Sequence, residues 1–109
     1  MNQHAFEGLL NAAPQKRYQH FVSAAADGEQ VWLYQGNPWC VWAEREFAVH
    51  MIPEEQLLQM DVHNLCFKLL TEAAEHNIMI SVFPNGSDSQ IVSADTLREA
   101  LVEELDMLE

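Results

Sequence analysis

Val31-Trp32-Leu33-Tyr34-Gln35-Gly36-Asn37-Pro38-Trp39-Cys40-Val41-Trp42 carries every tryptophan of the chain. It reads as two β-prone apolar runs around a Gly-Asn-Pro turn signal, and a Gln35-Gly36-Asn37-Pro38 connection suits an antiparallel hairpin. Pairing Tyr34 with Trp39 is the simplest register. It puts Trp32, Tyr34, Trp39 and Val41 on one face, and Val31, Leu33, Cys40 and Trp42 on the other. Both faces are apolar, so either helices cover both or one face waits for a partner.

Upstream, Phe6, Leu9, Leu10 and Ala13 recur at helical spacing with Asn2 available as a cap, which predicts a helix over about residues 3–12. Pro14 suits the first turn of a second helix carrying Tyr18, Phe21, Val22 and Ala25, with Gly28 placed for a left-handed end. The two helices are expected to form a hairpin.

Downstream, Glu44 to His50 reads as a short helix, and Pro53 restarts a helical stretch through Glu54 to Met60. Asp61 can cap a helix whose Val62, Leu65, Cys66, Leu69, Leu70 and Ala73 form an apolar stripe ending near Asn77. Ile78-Met79-Ile80-Ser81-Val82-Phe83 is apolar on both alternating faces, as a central strand is, and Pro84-Asn85-Gly86 turns it toward Gln90-Ile91-Val92. Ser93 caps a closing helix that buries Leu97, Leu101, Leu105 and Leu108 and turns Glu99, Glu103, Glu104, Asp106 and Glu109 outward. The expected architecture is a single α+β domain over residues 1–109. Its sheet is mostly antiparallel, with about four short strands in two hairpins, packed by an N-terminal helical hairpin, middle helices and a C-terminal helix.

At 109 residues the chain can bury one core without disulfide or metal staples. Seventeen acidic against five basic side chains give a formal charge of −12, a field that repels phosphate backbones and anionic lipid surfaces. Nucleic acid and membrane are therefore not expected as partners; the charge first reads as keeping a small cytosolic protein soluble, and as the sharper alternative it attracts a basic protein partner. No apolar run reaches the roughly 20 residues a bilayer span needs, and the N-terminus lacks a basic region followed by an apolar stretch. With two cysteines in apolar surroundings, this predicts a cytoplasmic protein with buried free thiols.

A family resemblance runs through the segments Pro14-Gln15-Lys16-Arg17-Tyr18-Gln19-His20-Phe21, Val31-Trp32-Leu33, Val41-Trp42-Ala43-Glu44-Arg45-Glu46-Phe47-Ala48, Ile80-Ser81-Val82-Phe83-Pro84 and Ser93 to Leu101. Together they resemble the bacterial domain-of-unknown-function family numbered 2750. The chain departs from that pattern in having almost no polar stretch between its two Trp motifs, and Ala43 where relatives often carry Pro. The resemblance implies a compact α+β domain of the bacterial cytoplasm and brings no activity with it.

The chemistry candidates are each weaker than their structural alternative. His63 and Cys66 stand at a spacing that can ligate zinc, but a four-ligand site needs two more groups, and Cys66 belongs to the apolar stripe. His50 with Glu54 and Glu55 is interrupted by Pro53. Cys40 as a nucleophile would need an electropositive setting, whereas its neighbours are apolar and the chain acidic. Glu44, Glu46, Glu54 and Glu55 read as a solvated charge run before an acid–base pair. The sequence has no Gly-x-Ser-x-Gly elbow and no phosphate-cradling glycine loop. No catalytic residue, metal ligand or cofactor is assigned.

What remains is the aromatic cluster and the charge. The expected function is non-enzymatic, through protein contacts: self-association as a homodimer, or binding of a basic partner in the manner of an immunity or inhibitor protein. The candidate contact residues are Trp32, Tyr34 and Trp39 with Arg45 at their rim, and Glu99, Glu103 and Glu104 on the last helix. The alternative is a small-molecule-binding domain or minor enzyme, with a pocket between the hairpin and the helix from Val62 to His76 and His63 or Cys40 as its polar group.

Overall fold

β1 (Gln30–Tyr34) and β2 (Trp39–Trp42) do pair antiparallel, but Tyr34 lies opposite Cys40, Leu33 opposite Val41 and Trp32 opposite Trp42. The computed structural model describes residues 3–108; Asn2, the expected cap, and Glu109 lie outside them. The expected register is thus off by one residue, which moves every side chain of β2 to the other face. The cause is a partner distant in sequence. β4 (Met79–Val82) runs parallel to β2, with Trp39 beside Ile80 and Val41 beside Val82, and this lines up one apolar row across the sheet.

β5 (Gln90–Ser93) pairs antiparallel with β4, and β3 (Leu58–Asp61) with β1, giving the order β3-β1-β2-β4-β5. The fold is α+β, with five strands where four were expected. The extra one is β3, in a stretch expected to be helical. Only one 3-10 turn forms there (Glu54–Gln56), after which the free edge of β1 offers four ladder positions that outweigh weak helix propensity.

α2 (Pro14–Gly28) packs against α6 (Ala94–Met107), and both lie on the sheet, α2 on β1, β4 and β5 and α6 on β4 and β5. Ser93 caps α6 as expected, its hydroxyl accepting from the Thr96 amide at 3.1 Å. At the end of α2 the left-handed residue is Glu29, φ 64°, one position past the expected Gly28. Its carbonyl accepts from the Val62 amide at 2.8 Å, tying the start of the middle helix to the root of β1.

That middle helix begins as α4 (Val62–Asn64), capped by Asp61 through the Asn64 amide at 2.8 Å. It widens into a π-helical turn (Leu65–Leu69), in which the Leu70 amide donates to the Leu65 carbonyl, and continues as α5 (Leu70–Glu75), packed on α6. Asn77 follows at φ 56°, the left-handed ending expected there.

These helices seal one face of the sheet. Val31, Leu33, Val41, Ile80 and Val82 are fully buried beneath Phe21, Ala25, Leu65, Leu97 and Leu101. Trp39 joins that face and is 7% exposed.

The ends of three segments meet on one buried cation. Arg17 of α2 is fully enclosed. Its Nε donates to the Phe83 carbonyl at 2.9 Å, Nη1 to the Ala12 carbonyl, and Nη2 to both the Asp88 carbonyl and its carboxylate at 2.7 Å. Phe83 holds φ 53°, unusual for a bulky side chain. Its ring packs 4.7 Å from Phe47 of α3 (Arg45–Met51), which in turn stacks at 4.7 Å on Phe6 of α1 (Gln3–Leu10). Asn85 adds a second tie, donating to the Leu10 carbonyl at 2.7 Å.

Replacing Arg17 with Met leaves three carbonyl groups dry, and urea denaturation should show a loss of about 3–5 kcal/mol. Asp88→Asn should cost under about 1 kcal/mol, because water screens that half-exposed carboxylate. Equal losses from the two variants would contradict this division.

Candidate functional site

The second face of the sheet is covered unevenly: Trp42 and Ser81 on it are buried, with α3 packed on β1 and β2, while Met79 and Ile91 are exposed. Alternation places Trp32 and Tyr34 of β1, Cys40 of β2, Met79 and Ser81 of β4 and Ile91 of β5 on it, with exposed Gln59 and Asp61 of β3 at its edge. Tyr34, Cys40, Ser81 and Ile91 form one cross-strand row. Trp32, Tyr34 and Cys40 are half-buried, Met79 is 45% exposed and Ile91 53%. Ser81 is buried, its hydroxyl 2.5 Å from that of Ser89.

The Tyr34 ring folds back over the turn. A Cβ on Gly36 would stand 2.5 Å from Tyr34 Cε2, so the glycine is what lets the ring lie there.

Trp42 shares this face by alternation but is fully buried. Its indole N–H donates to the Pro84 carbonyl at 3.2 Å, and α3 packs on β1 and β2 beside it. Of the three aromatic residues assigned to one face, the structure keeps Trp32 and Tyr34 together and sends Trp39 beneath the helices. The correction follows from the one-residue shift in register. Cys40, expected to be buried, replaces Trp39 in the row and is only half-buried. Met79 was missed because the uniformly apolar run of β4 gives no sign of which alternate residues face solvent, and Ile91 because β5 takes its facing from its pairing with β4.

The Arg45 guanidinium is not free to anchor a partner. It is bidentate with the Glu54 carboxylate, Nε to Oε1 at 2.8 Å and Nη2 to Oε2 at 2.9 Å, and this bond holds the Glu54 carboxyl below its usual range. Glu44 is likewise engaged, Oε2 lying 2.7 Å from His20 Nε2. The acids of this region are therefore divided between two pairings rather than set against each other as an acid–base pair.

Glu99 and Glu103 are exposed on α6 with Asp95 and Asp106, while Glu104 is half-buried. Since α6 belongs to the layer that covers the opposite face, these acids and the Trp32–Tyr34 surface look away from each other. The candidate contact residues thus form two surfaces, one aromatic and uncharged, the other acidic.

Cys66 is fully buried and its thiol lies 3.7 Å from the Arg98 carbonyl, while His63 is exposed with its ring 6.3 Å from that of Phe67. His63 lines a surface cleft of about 310 Å³ with Ala26, Asp27, Glu29, Leu105 and Leu108. Cys40 stands across the sheet from it, so these two groups do not share a pocket. Between hairpin and middle helix, Val31, Leu33, Leu65, Cys66 and Ala73 are fully buried.

Among the described residues no helix is long and apolar enough to cross a membrane, and no group of three His, Cys, Asp or Glu side chains is placed to hold a metal ion. Compared with protein-family models, curated proteins and solved structures, the chain matches none.

Burial raises the Cys40 thiol above its ordinary range, a hydrogen bond with Ser81 opposing this in part, and burial raises Cys66 as well. Iodoacetamide should therefore modify one thiol per folded chain, slowly at pH 7 and faster above about pH 8.5, and two after unfolding. Acrylamide should quench a tryptophan component that Trp32→Phe removes. Two reactive thiols in the folded chain, or quenching unaffected by that substitution, would contradict the burial of Cys66, Trp39 and Trp42.

Proposed function

We propose that this chain is a non-enzymatic α+β protein of the bacterial cytoplasm that works through protein contacts, its open sheet face being the principal docking surface. The supporting observation is the exposure of Met79 and Ile91 on this face, beside the half-buried rings of Trp32 and Tyr34. Exposed apolar area of this kind is drawn to a partner because burying it removes about 25 cal/mol per Å² from contact with water. Trp32 and Tyr34 are suited to anchor such a contact, each offering a rigid ring with a polar tip. The unpaired cysteines favour a reducing compartment. The resemblance to family 2750 stands beside this reading and adds no activity to it.

A second reading, association with a basic protein in the manner of an immunity or inhibitor protein, is favoured by the exposed acids of α6 and the charge of −12. Arg98, the basic side chain of this helix, is held 3.5 Å from Asp95. Such a surface speeds encounter with a cation-rich partner and loses that advantage in salt.

Capture on immobilised protein separates the two. Loss by at least about tenfold with Ile91→Lys, retained at about 0.5 M salt, supports the sheet face, whereas loss with Glu99→Lys and Glu103→Lys and in salt supports α6. If the wild type and all three variants retain the same proteins equally, the chain itself included, neither surface is a docking site.

A further inference from the structure

We propose that Asn85 is a site of self-modification, losing its side-chain amide nitrogen to attack by the backbone nitrogen of Gly86, and that the product releases α1 from the rest of the chain. This is independent of which surface meets a partner.

The sequence supplies the chemistry. Of the asparagines, Asn85 alone precedes a glycine, which leaves the attacking nitrogen unhindered by a side chain. Asn77 is followed by the branched Ile78, Asn64 by Leu65, and Asn37 by Pro38, whose nitrogen carries no proton to give up. In the first step the Gly86 nitrogen bonds to Cγ of Asn85 as the bond from Cγ to Nδ2 breaks. The Gly86 amide proton passes through water to the departing nitrogen, which leaves as ammonia, and a five-membered succinimide remains. Water then opens the ring. Attack at Cγ returns an aspartate, and attack at the main-chain carbonyl carbon gives an isoaspartate. One water is consumed and one ammonia released, with no change of oxidation state.

The structure holds the two reacting groups differently. Gly86 is exposed at φ 92°, and among the described residues nothing accepts from its amide. The Asn85 amide is tied at both ends. Its Oδ1 accepts from the Ser87 and Asp88 amides at 2.9 and 3.1 Å, and its Nδ2 donates to the Leu10 carbonyl at 2.7 Å. Ring closure turns the amide away from all three partners, so in the folded chain the reaction waits on a local opening. α1 is the element placed to open, since it buries no side chain completely and Leu10, at its end, is one of those three partners.

Once made, the change cannot reverse. The product carboxylate has no N–H for the Leu10 carbonyl and sets an anion against that oxygen, near the Asp88 carboxylate already paired with Arg17. α1 is then left with the Phe6 stack on Phe47 and the bond from Arg17 to the Ala12 carbonyl. Phe47, fully buried while α1 is docked, comes to the surface whenever it lifts. An aromatic surface closed in the new chain is thus opened in the aged one.

Peptide mapping of chain kept in mildly alkaline buffer should locate aspartate and isoaspartate at position 85 before any other asparagine, with ammonia released in equal amount. In guanidinium chloride, where the three hydrogen bonds are lost, the rate at this position should rise at least about tenfold. There Gly86→Ala, free of backbone strain once unfolded, should lower it at least about tenfold. Asn85→Asp supplies one product directly. Hydrogen exchange over residues 3–12 should quicken at least about tenfold in it, while α6 keeps its protection and so reports that the variant is folded. Asn85→Ala, which removes the donor and adds no charge, should quicken the same amides to a smaller extent.

An Asn85 that reacts no faster than Asn11 in the unfolded chain overturns the proposal. So does equal reaction in folded and unfolded chain, or exchange in α1 that neither variant alters.

Discussion

The guanidinium of Arg17 is the constraint around which one end of the molecule is arranged. A cation enclosed this fully is tolerable only if its donors are met, and here they are met by the carbonyls of Ala12, Phe83 and Asp88 and by one carboxylate oxygen. Those acceptors come from the α1–α2 connection and from both ends of the β4–β5 connection. The consequence extends beyond hydrogen bonding. Held by its carbonyl in a left-handed conformation, Phe83 sets its ring against Phe47, and Phe47 sets Phe6. α1 and α3, neither of which is long, are attached to the sheet partly by way of this aromatic series.

Much of the architecture was legible because it is local. The stripes of α2 and α6, the Ser93 cap, the Asp61 cap and the left-handed Asn77 each follow from residues within a turn or two of one another. The existence of the hairpin was legible too, but not its register, because Trp39 and Val41 take their face from Ile80 and Val82. β3 was hidden for the same reason: Leu58 to Asp61 become a strand only because β1 has a free edge. Arg17 could be read as one basic residue on a helix, and nothing near it in sequence announces three carbonyls brought from elsewhere. Of the contact candidates, Trp32 and Tyr34 hold together, Trp39 does not, and Arg45 is taken up by Glu54.

Charge and hydrophobicity are distributed unevenly. Acids stand on α6, around α3 and at Asp27, Glu29, Asp61, Glu72 and Glu75, while Met79 and Ile91 stand exposed on the second face of the sheet. An anionic field of this size discourages nonspecific association wherever acids are presented. It gives less protection around Met79 and Ile91, where apolar side chains are exposed.

The parallel pairing of β2 with β4 has a consequence for how the chain acquires its structure. The β1–β2 hairpin forms early and cheaply, since its strands are neighbours, yet both of its faces are apolar and its turn admits more than one alignment. What distinguishes the alignments is a strand roughly forty residues further on. During synthesis the tryptophan segment emerges well before Met79 to Val82, so for that interval the hairpin is free to slip between alignments that bury different indoles. The arrival of β4 selects among them. The most recognisable segment of the sequence is in this sense the last to have its final geometry decided, and the decision is made by a strand that contains no aromatic residue at all.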